Sequence, residues 1–250
     1  MILLGMLFFI GIIAGFINTL AGGGSALMIP VLIVAGVPSP IANATNRVAI
    51  LLQNAVGSYE FKRHNLLKVN SILHVTLAAI IGAIVGSITA VNISTELYDK
   101  LLAVVFVVIL ILILKPHKTR SYLTSKLPKW LEFIIFLIVG FYGGMIQVGV
   151  GFIFLATLNL IEELDLIQAN AIKVFIIMSY TVFSVIVFAI SGKIIWKYGI
   201  VMALGNILGA YIGVKAAIKN GEKFVKIILT IAILIACIKL FGFFSFIGIN

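Results

Sequence analysis

Two positive charges lie inside apolar stretches of this chain. Arg47 is about seven residues into the stretch 40–61, and Lys173 is at a similar depth in 166–190. A charge at the centre of a bilayer costs roughly 2.5–3.5 kcal/mol on insertion scales, so such residues mark ligand or ion pathways. The competing reading is snorkelling, since both lie only about two turns from the start of their stretch. Polar residues surround them: Asn43, Thr45, Asn46, Gln53 and Asn54 near Arg47, Asn170 and Thr181 near Lys173. Asn43, Asn46, Arg47 and Asn54 follow at spacings of 3, 1 and 7, which shares one helix face. Their amides either donate to anion oxygens or tie helices together.

Glycine breaks are the second feature. Gly22-Gly23-Gly24 interrupts an apolar run, and each helical glycine costs about 1 kcal/mol against alanine. Non-helical backbone at membrane depth survives only where protein buries it or where it lines a polar cavity. Ser25 is placed to cap a short helix beyond the break. That helix start would aim N–H groups and a positive dipole end inward, which suits an anion. Gly149-Val150-Gly151 offers the equivalent later, with Gln147 just before it, where the first break has Leu20. The competing reading is close helix packing, which is favoured for Gly82, Gly86, Gly209 and Gly213.

Composition says what must hold these residues. Of 250 residues, 62% are hydrophobic and 10% charged, with a mean hydropathy of +1.26. Soluble domains run at about 45–50% and 25%, so this is a polytopic membrane protein. The net charge of +10 sits mostly in short connectors, where it orients the chain and meets anionic headgroups, not nucleic acid. Cys237 is single and in an apolar run, so it reads as a small core or lipid-facing residue. Met1 leads directly into an apolar stretch without a positive n-region, which reads as a retained transmembrane helix.

The predicted segments are 2–20, 26–36, 40–61, 67–91 and 96–114, then 131–148, 152–161, 166–190, 195–218 and 224–248. At a constant offset of 127, Ala42-Asn43-Ala44 falls on Ala169-Asn170-Ala171, Gly22 and Gly24 on Gly149 and Gly151, and Gly82 and Gly86 on Gly209 and Gly213. The sequence therefore predicts an all-α integral membrane protein of about 8–10 membrane segments. It would consist of two homologous repeats, 1–114 and 131–250, each with a glycine-broken short helix, joined by a basic cytoplasmic connector at 115–130. Interrupted helices at equivalent places in repeats point to the binding site of a secondary transporter. Inverted repeats put 12 connector Lys and Arg inside, at 62–68, 115–129 and 215–226, and 3 outside, at Lys100, Lys193 and Lys197. Parallel repeats would give 10 and 5, so inversion fits the positive-inside rule better and leaves both termini outside.

What is missing narrows the chemistry. Glu60, Glu96, Asp99, Glu132, Glu162, Glu163 and Asp165 all lie near segment ends or in connectors, whereas a cation carrier needs a carboxylate deeper. His74 reads as a packed histidine before a proton carrier. No metal site, cofactor site, nucleotide-binding loop or catalytic motif is present, so neither an enzyme nor a nucleotide-driven pump is expected.

These motifs resemble a known family. Gly15-Phe16-Ile17-Asn18-Thr19-Leu20-Ala21-Gly22-Gly23-Gly24, then Pro30, then Ala42-Asn43-Ala44-Thr45-Asn46 is similar to the first-repeat pattern of the TauE/SafE sulfite exporter family. The glycine-rich stretch 140–151 and Ala169-Asn170-Ala171 resemble its second-repeat pattern, although Val150 interrupts the glycines and Thr157 stands opposite Pro30. The resemblance implies export of a small sulfur-containing anion, sulfite or an organosulfonate such as sulfoacetate, across the cytoplasmic membrane. A proton is the family-style coupling ion. The expected anion site lies between the repeats. Arg47 and Lys173 would supply charge there, and the backbone at Gly22, Gly23, Gly24, Gly149 and Gly151 would supply donors. Ser25, Asn43, Asn46, Gln147 and Asn170 would set geometry. An anion channel and a membrane subunit of a partner-dependent complex remain as alternatives, and the sequence leaves a homodimer open.

Overall fold

The computed structural model describes residues 2–67, 72–114, 127–161 and 166–240, with side chains left aside at 106–114, 159–161, 222, 226 and 228–240. Lys68, the connector residues 115–126, the acids Glu162, Glu163 and Asp165, and the stretch 241–248 lie outside these residues, as does the side chain of Cys237. Every element among the described residues is a helix. In order they are α1 Ile2–Leu20, α2 Ser25–Val34, α3 Ser39–Arg63, α4 Leu73–Asn92, α5 Thr95–Leu114, α6 Lys129–Met145, α7 Val150–Ile161, α8 Leu166–Ile190 and α9 Trp196–Leu240. Four stretches among the described residues are long and apolar enough to cross a membrane: Ile2–Leu20, Leu73–Asn92, Leu166–Ile190 and Trp196–Gly221.

The helix ends follow local chemistry. α2 stops before Gly36, whose φ of +85° suits glycine. Pro38 and Pro40 then start α3, where the missing N–H costs nothing. Pro128 does the same for α6. Gly221, at φ 73° and ψ −173°, interrupts α9 between the two segments read from hydropathy.

Helix partners cross between the two halves of the chain. α1 packs on α9, and α4 packs on α6. Both contacts are backbone against backbone. A Cβ on Gly82 would lie 2.0 Å from the carbonyl oxygen of Leu137 in α6, and one on Gly209 the same distance from that of Ile12 in α1. So the close-packing reading of these glycines holds, and the partner helix is in the opposite half each time. α3 lies against α9 and α8, and α4 against α8. Two units result, α1–α3–α9 and α6–α8–α4, with α3 facing α8 where they meet. The polar residues of α3 from Asn43 to Asn54 are buried, because that face is turned into this junction.

Gly5 offers a contrast, since a Cβ there would meet nothing within 4 Å. Gly5→Ala is expected to stabilise α1 by about 1 kcal/mol through helix propensity. Thermal melting in detergent should shift upward by a few degrees; a downward shift would mean that an unseen contact occupies that face.

Candidate functional site

The site lies where the two chain breaks cross. The first break is residues 21–24, between α1 and α2. The second is residues 146–149, between α6 and α7. Gly22 has φ +94°, and a Cβ on it would lie 2.3 Å from the Cα of Gly151. The two breaks therefore touch through bare backbone. Two sequence expectations need correction here. Gly24, with αR backbone, is the N-cap residue of α2 and makes no side-chain capping bond, so Ser25 is the first residue of the helix and not its cap. The second break begins earlier than Gly149-Val150-Gly151. Gln147 (φ 68°) and Gly149 (φ 74°) carry the irregular backbone, and Gly151 is already helical. A non-glycine residue at positive φ hid that boundary.

Arg47 belongs to α3 but reaches the second break. It donates to the carbonyl oxygens of Gly143 at 2.6 Å and Gly144 at 2.7 Å, and to Gln147 Oε1. A longer contact of 3.5 Å runs from Arg47 to Asn43 Oδ1, and the ring of Phe188 lies 5.6 Å from the guanidinium carbon. Asn43 Nδ2 donates to Met145 O at 3.1 Å. Lys173 belongs to α8 but reaches the first break. Its ammonium donates to Asn18 O at 3.1 Å, Thr19 O at 3.0 Å and Asn170 Oδ1 at 2.6 Å. Asn170 Nδ2 donates to Leu20 O at 3.0 Å. Each cation–asparagine pair thus holds the C-terminal carbonyls of a broken helix in the opposite half. These are the carbonyls that a helix end leaves without partners, at the negative end of its dipole.

Both cations are fully buried, at 0% exposure. Among the described residues the ion pairs are His74–Glu132 and Lys100–Glu96, so no carboxylate neutralises either charge. Arg47 and Lys173 share no acceptor, and they sit on different breaks. All three ammonium protons of Lys173 are donated, whereas Nε of Arg47 has no partner. Asn46 Nδ2 donates to Ser25 Oγ at 3.0 Å, and Gly24 N donates to Asn18 Oδ1 at 3.3 Å. Gly23 lies under the ring of Phe152.

Three tyrosines at the second break were missed in the sequence. Tyr98 Oη donates to Met145 O at 3.3 Å, Tyr142 Oη to Val148 O, and Tyr180 Oη to Gln147 Oε1 at 3.0 Å. The available signal was a phenol within an apolar run, because a buried tyrosine hydroxyl requires a partner.

The family model described as "Sulfite exporter TauE/SafE" matches residues 7–240. The "Probable membrane transporter protein ORF9" of Sinorhizobium sp. is 28% identical over 240 residues, 95% of this chain and 92% of its own. A "Probable membrane transporter protein" of Haemophilus influenzae is 27% identical over 226 residues, 90% of this chain and 89% of its own. The "Probable membrane transporter protein YfcA" of Escherichia coli K12 is 25% identical over 241 residues, 96% of this chain and 90% of its own. No solved structure gives a significant match. With its spanning helices and a family match over nearly its whole length, the chain is a multi-pass protein of the cytoplasmic membrane and belongs to the TauE/SafE family of membrane transporters.

Proposed function

We propose that this transporter exports a small sulfur-containing anion, sulfite or an organosulfonate, and holds it between its two helical units where the breaks cross. The observation that carries this reading is the pair of fully buried cations, Arg47 and Lys173, with no carboxylate partner among the described residues. The carbonyl end of each broken helix offsets about half a charge, so the junction keeps a positive field that an anion completes. A cation would be repelled from it.

In this reading residues 1–114 and 131–250 are inverted repeats about the connector 115–130. The shared element order supports it: long helix, break, short helix, then a 25-residue helix in both α3 and α8. Transport is secondary and proceeds by rocking of α1–α3–α9 against α6–α8–α4. A proton is the coupling ion to test first.

Sulfite counterflow in proteoliposomes of the purified full chain tests this reading, with sulfoacetate, sulfate and chloride as competitors. Saturable exchange inhibited by a sulfur oxyanion is the expected result. Flux that neither saturates nor shows counterflow would make the protein a channel. No flux of any anion would withdraw the solitary carrier in favour of a partner-dependent subunit.

A further inference from the structure

We propose that the two breaks are not equivalent seats. The anion binds at the first break only, against Ser25, Asn46 and the start of α2, and the site takes a compact, single-headed oxyanion. This rests on the reading above and specifies its substrate class.

The second break is already filled by the protein. The carbonyls of Gly143 and Gly144 receive Arg47, that of Met145 receives Asn43 and Tyr98, and that of Val148 receives Tyr142. Gln147 Oε1 receives both Arg47 and Tyr180. At the repeat offset of 127, Tyr98, Tyr142 and Tyr180 correspond to Val225, Gly15 and Gln53. No phenol therefore stands in the matching places around the first break.

At the first break the carbonyls of Asn18, Thr19 and Leu20 are satisfied by Lys173 and Asn170. What remains unspent is donor capacity in the Ser25–Asn46 side-chain pair. Asn46 is 0% exposed, and one atom of its amide is used on Ser25 Oγ while Oδ1 has no partner. Oxygen and nitrogen of an amide are interchangeable by rotation. Whichever way it is turned, the Ser25–Asn46 pair keeps two protons to give: the hydroxyl proton of Ser25 with one amide proton of Asn46, or both amide protons. α2 has 10 residues; Gly24 N is spent on Asn18 Oδ1, Ala26 N on Gly23 O and Leu27 N on Gly24 O, so the helix start offers the positive end of its dipole rather than these N–H groups.

The matching position to Ser25 in the second half is Phe152, and its ring lies over Gly23. Where one half offers a hydroxyl, the other supplies an apolar wall. Lys173 lies on the neighbouring carbonyls and contributes its field without a free proton. One donor cluster beside one apolar wall fits one anionic head.

The test uses sulfite counterflow by the purified full chain in proteoliposomes, reading the half-saturating sulfite concentration. Asn46→Asp keeps an acceptor for the Ser25 hydroxyl but puts negative charge on the seat. Ser25→Ala removes the hydroxyl, and Ser25→Cys replaces it if the alanine variant aggregates. Each is expected to raise half-saturation about tenfold or more, as loss of a hydrogen bond to a charged ligand does. Tyr142→Phe and Tyr180→Phe should leave it within about twofold, the size of a neutral structural change. Sulfoacetate, with two charged ends, should compete no better than sulfite. Unchanged half-saturation in Asn46→Asp, an equal rise in the tyrosine variants, or stronger competition by sulfoacetate would overturn the proposal while leaving a carrier in place. Failure of the unaltered protein to exchange any anion would overturn the carrier reading and this proposal with it.

Discussion

Gly22→Ala is expected to leave no stable protein to purify. Two costs fall on the same atom. An L residue at φ +94° carries about 1–2 kcal/mol of backbone strain. The new methyl would also lie 2.3 Å from the Cα of Gly151, which is backbone and cannot rotate away. Overpacking of a rigid site costs about 1–3 kcal/mol where neighbours can adjust, and more where they cannot. Together these come to about 2–5 kcal/mol or more, which reaches the lower end of a typical fold's stability of about 5–15 kcal/mol. Two other glycines separate the terms. Gly36 has φ +85° and open space around its Cβ, so Gly36→Ala should show strain alone and lose about 1–2 kcal/mol. Gly151→Ala meets Gly22 at 2.3 Å without a positive φ, so it should show the clash alone. Fluorescence-detected size exclusion after a temperature series ranks them. A Gly22→Ala protein that melts with Gly36→Ala would mean that the two breaks do not touch.

Arg47→Met is expected to silence transport more than it harms the fold. The methionine removes a buried charge that has no carboxylate partner, and that removal is favourable in itself. Against this, Gly143 O loses its donor, at about 1–3 kcal/mol. Gly144 O keeps Ser87 Oγ, and Gln147 Oε1 keeps Tyr180, so neither is orphaned. The two terms nearly offset, and a folded protein should elute. Function has no such compensation. At an effective dielectric of about 20, a unit charge that does not touch an anion but lies within about 10 Å of it is worth on the order of 1–2 kcal/mol, or about tenfold in affinity. Arg47→Lys keeps the charge but cannot span the adjacent carbonyls with a planar fork, so it should fall between. Counterflow at a fixed low sulfite concentration reads all three proteins. Transport by Arg47→Met at the unaltered rate would reduce Arg47 to a helix clamp.

Much of this arrangement is legible in the residues. Hydropathy places α1, α3 and α8 within two residues of their ends, because apolar runs bounded by glycine, proline or Lys-Arg leave little choice. The first break announces itself as three glycines. The second begins at Gln147, whose type gives no hint of positive φ. Arg47, Lys173, Asn43 and Asn170 stand out by type alone. Their partners do not, since a carbonyl in the other half carries no mark in the sequence. Lys173 reads as a free cation in a cavity, but it is fully bonded to Asn18, Thr19 and Asn170. The pairing of α4 with α6 and α1 with α9 is likewise hidden, because bare glycine backbone fits any helix that offers a matching groove.

That exchange of partners bears on how the protein is made. The glycine face of α4, at Gly82 and Gly86, has its close-fitting match only in α6, and the matching face of α1 waits for α9. A nascent chain that has released only α1 to α5 would hold two grooves of exposed backbone, with Arg47 lacking the carbonyls it binds. The first half therefore gains its closest packing partners only when the second half is inserted. The early helices must be sheltered until the late ones are inserted, and either half expressed by itself would be a substrate for membrane quality control.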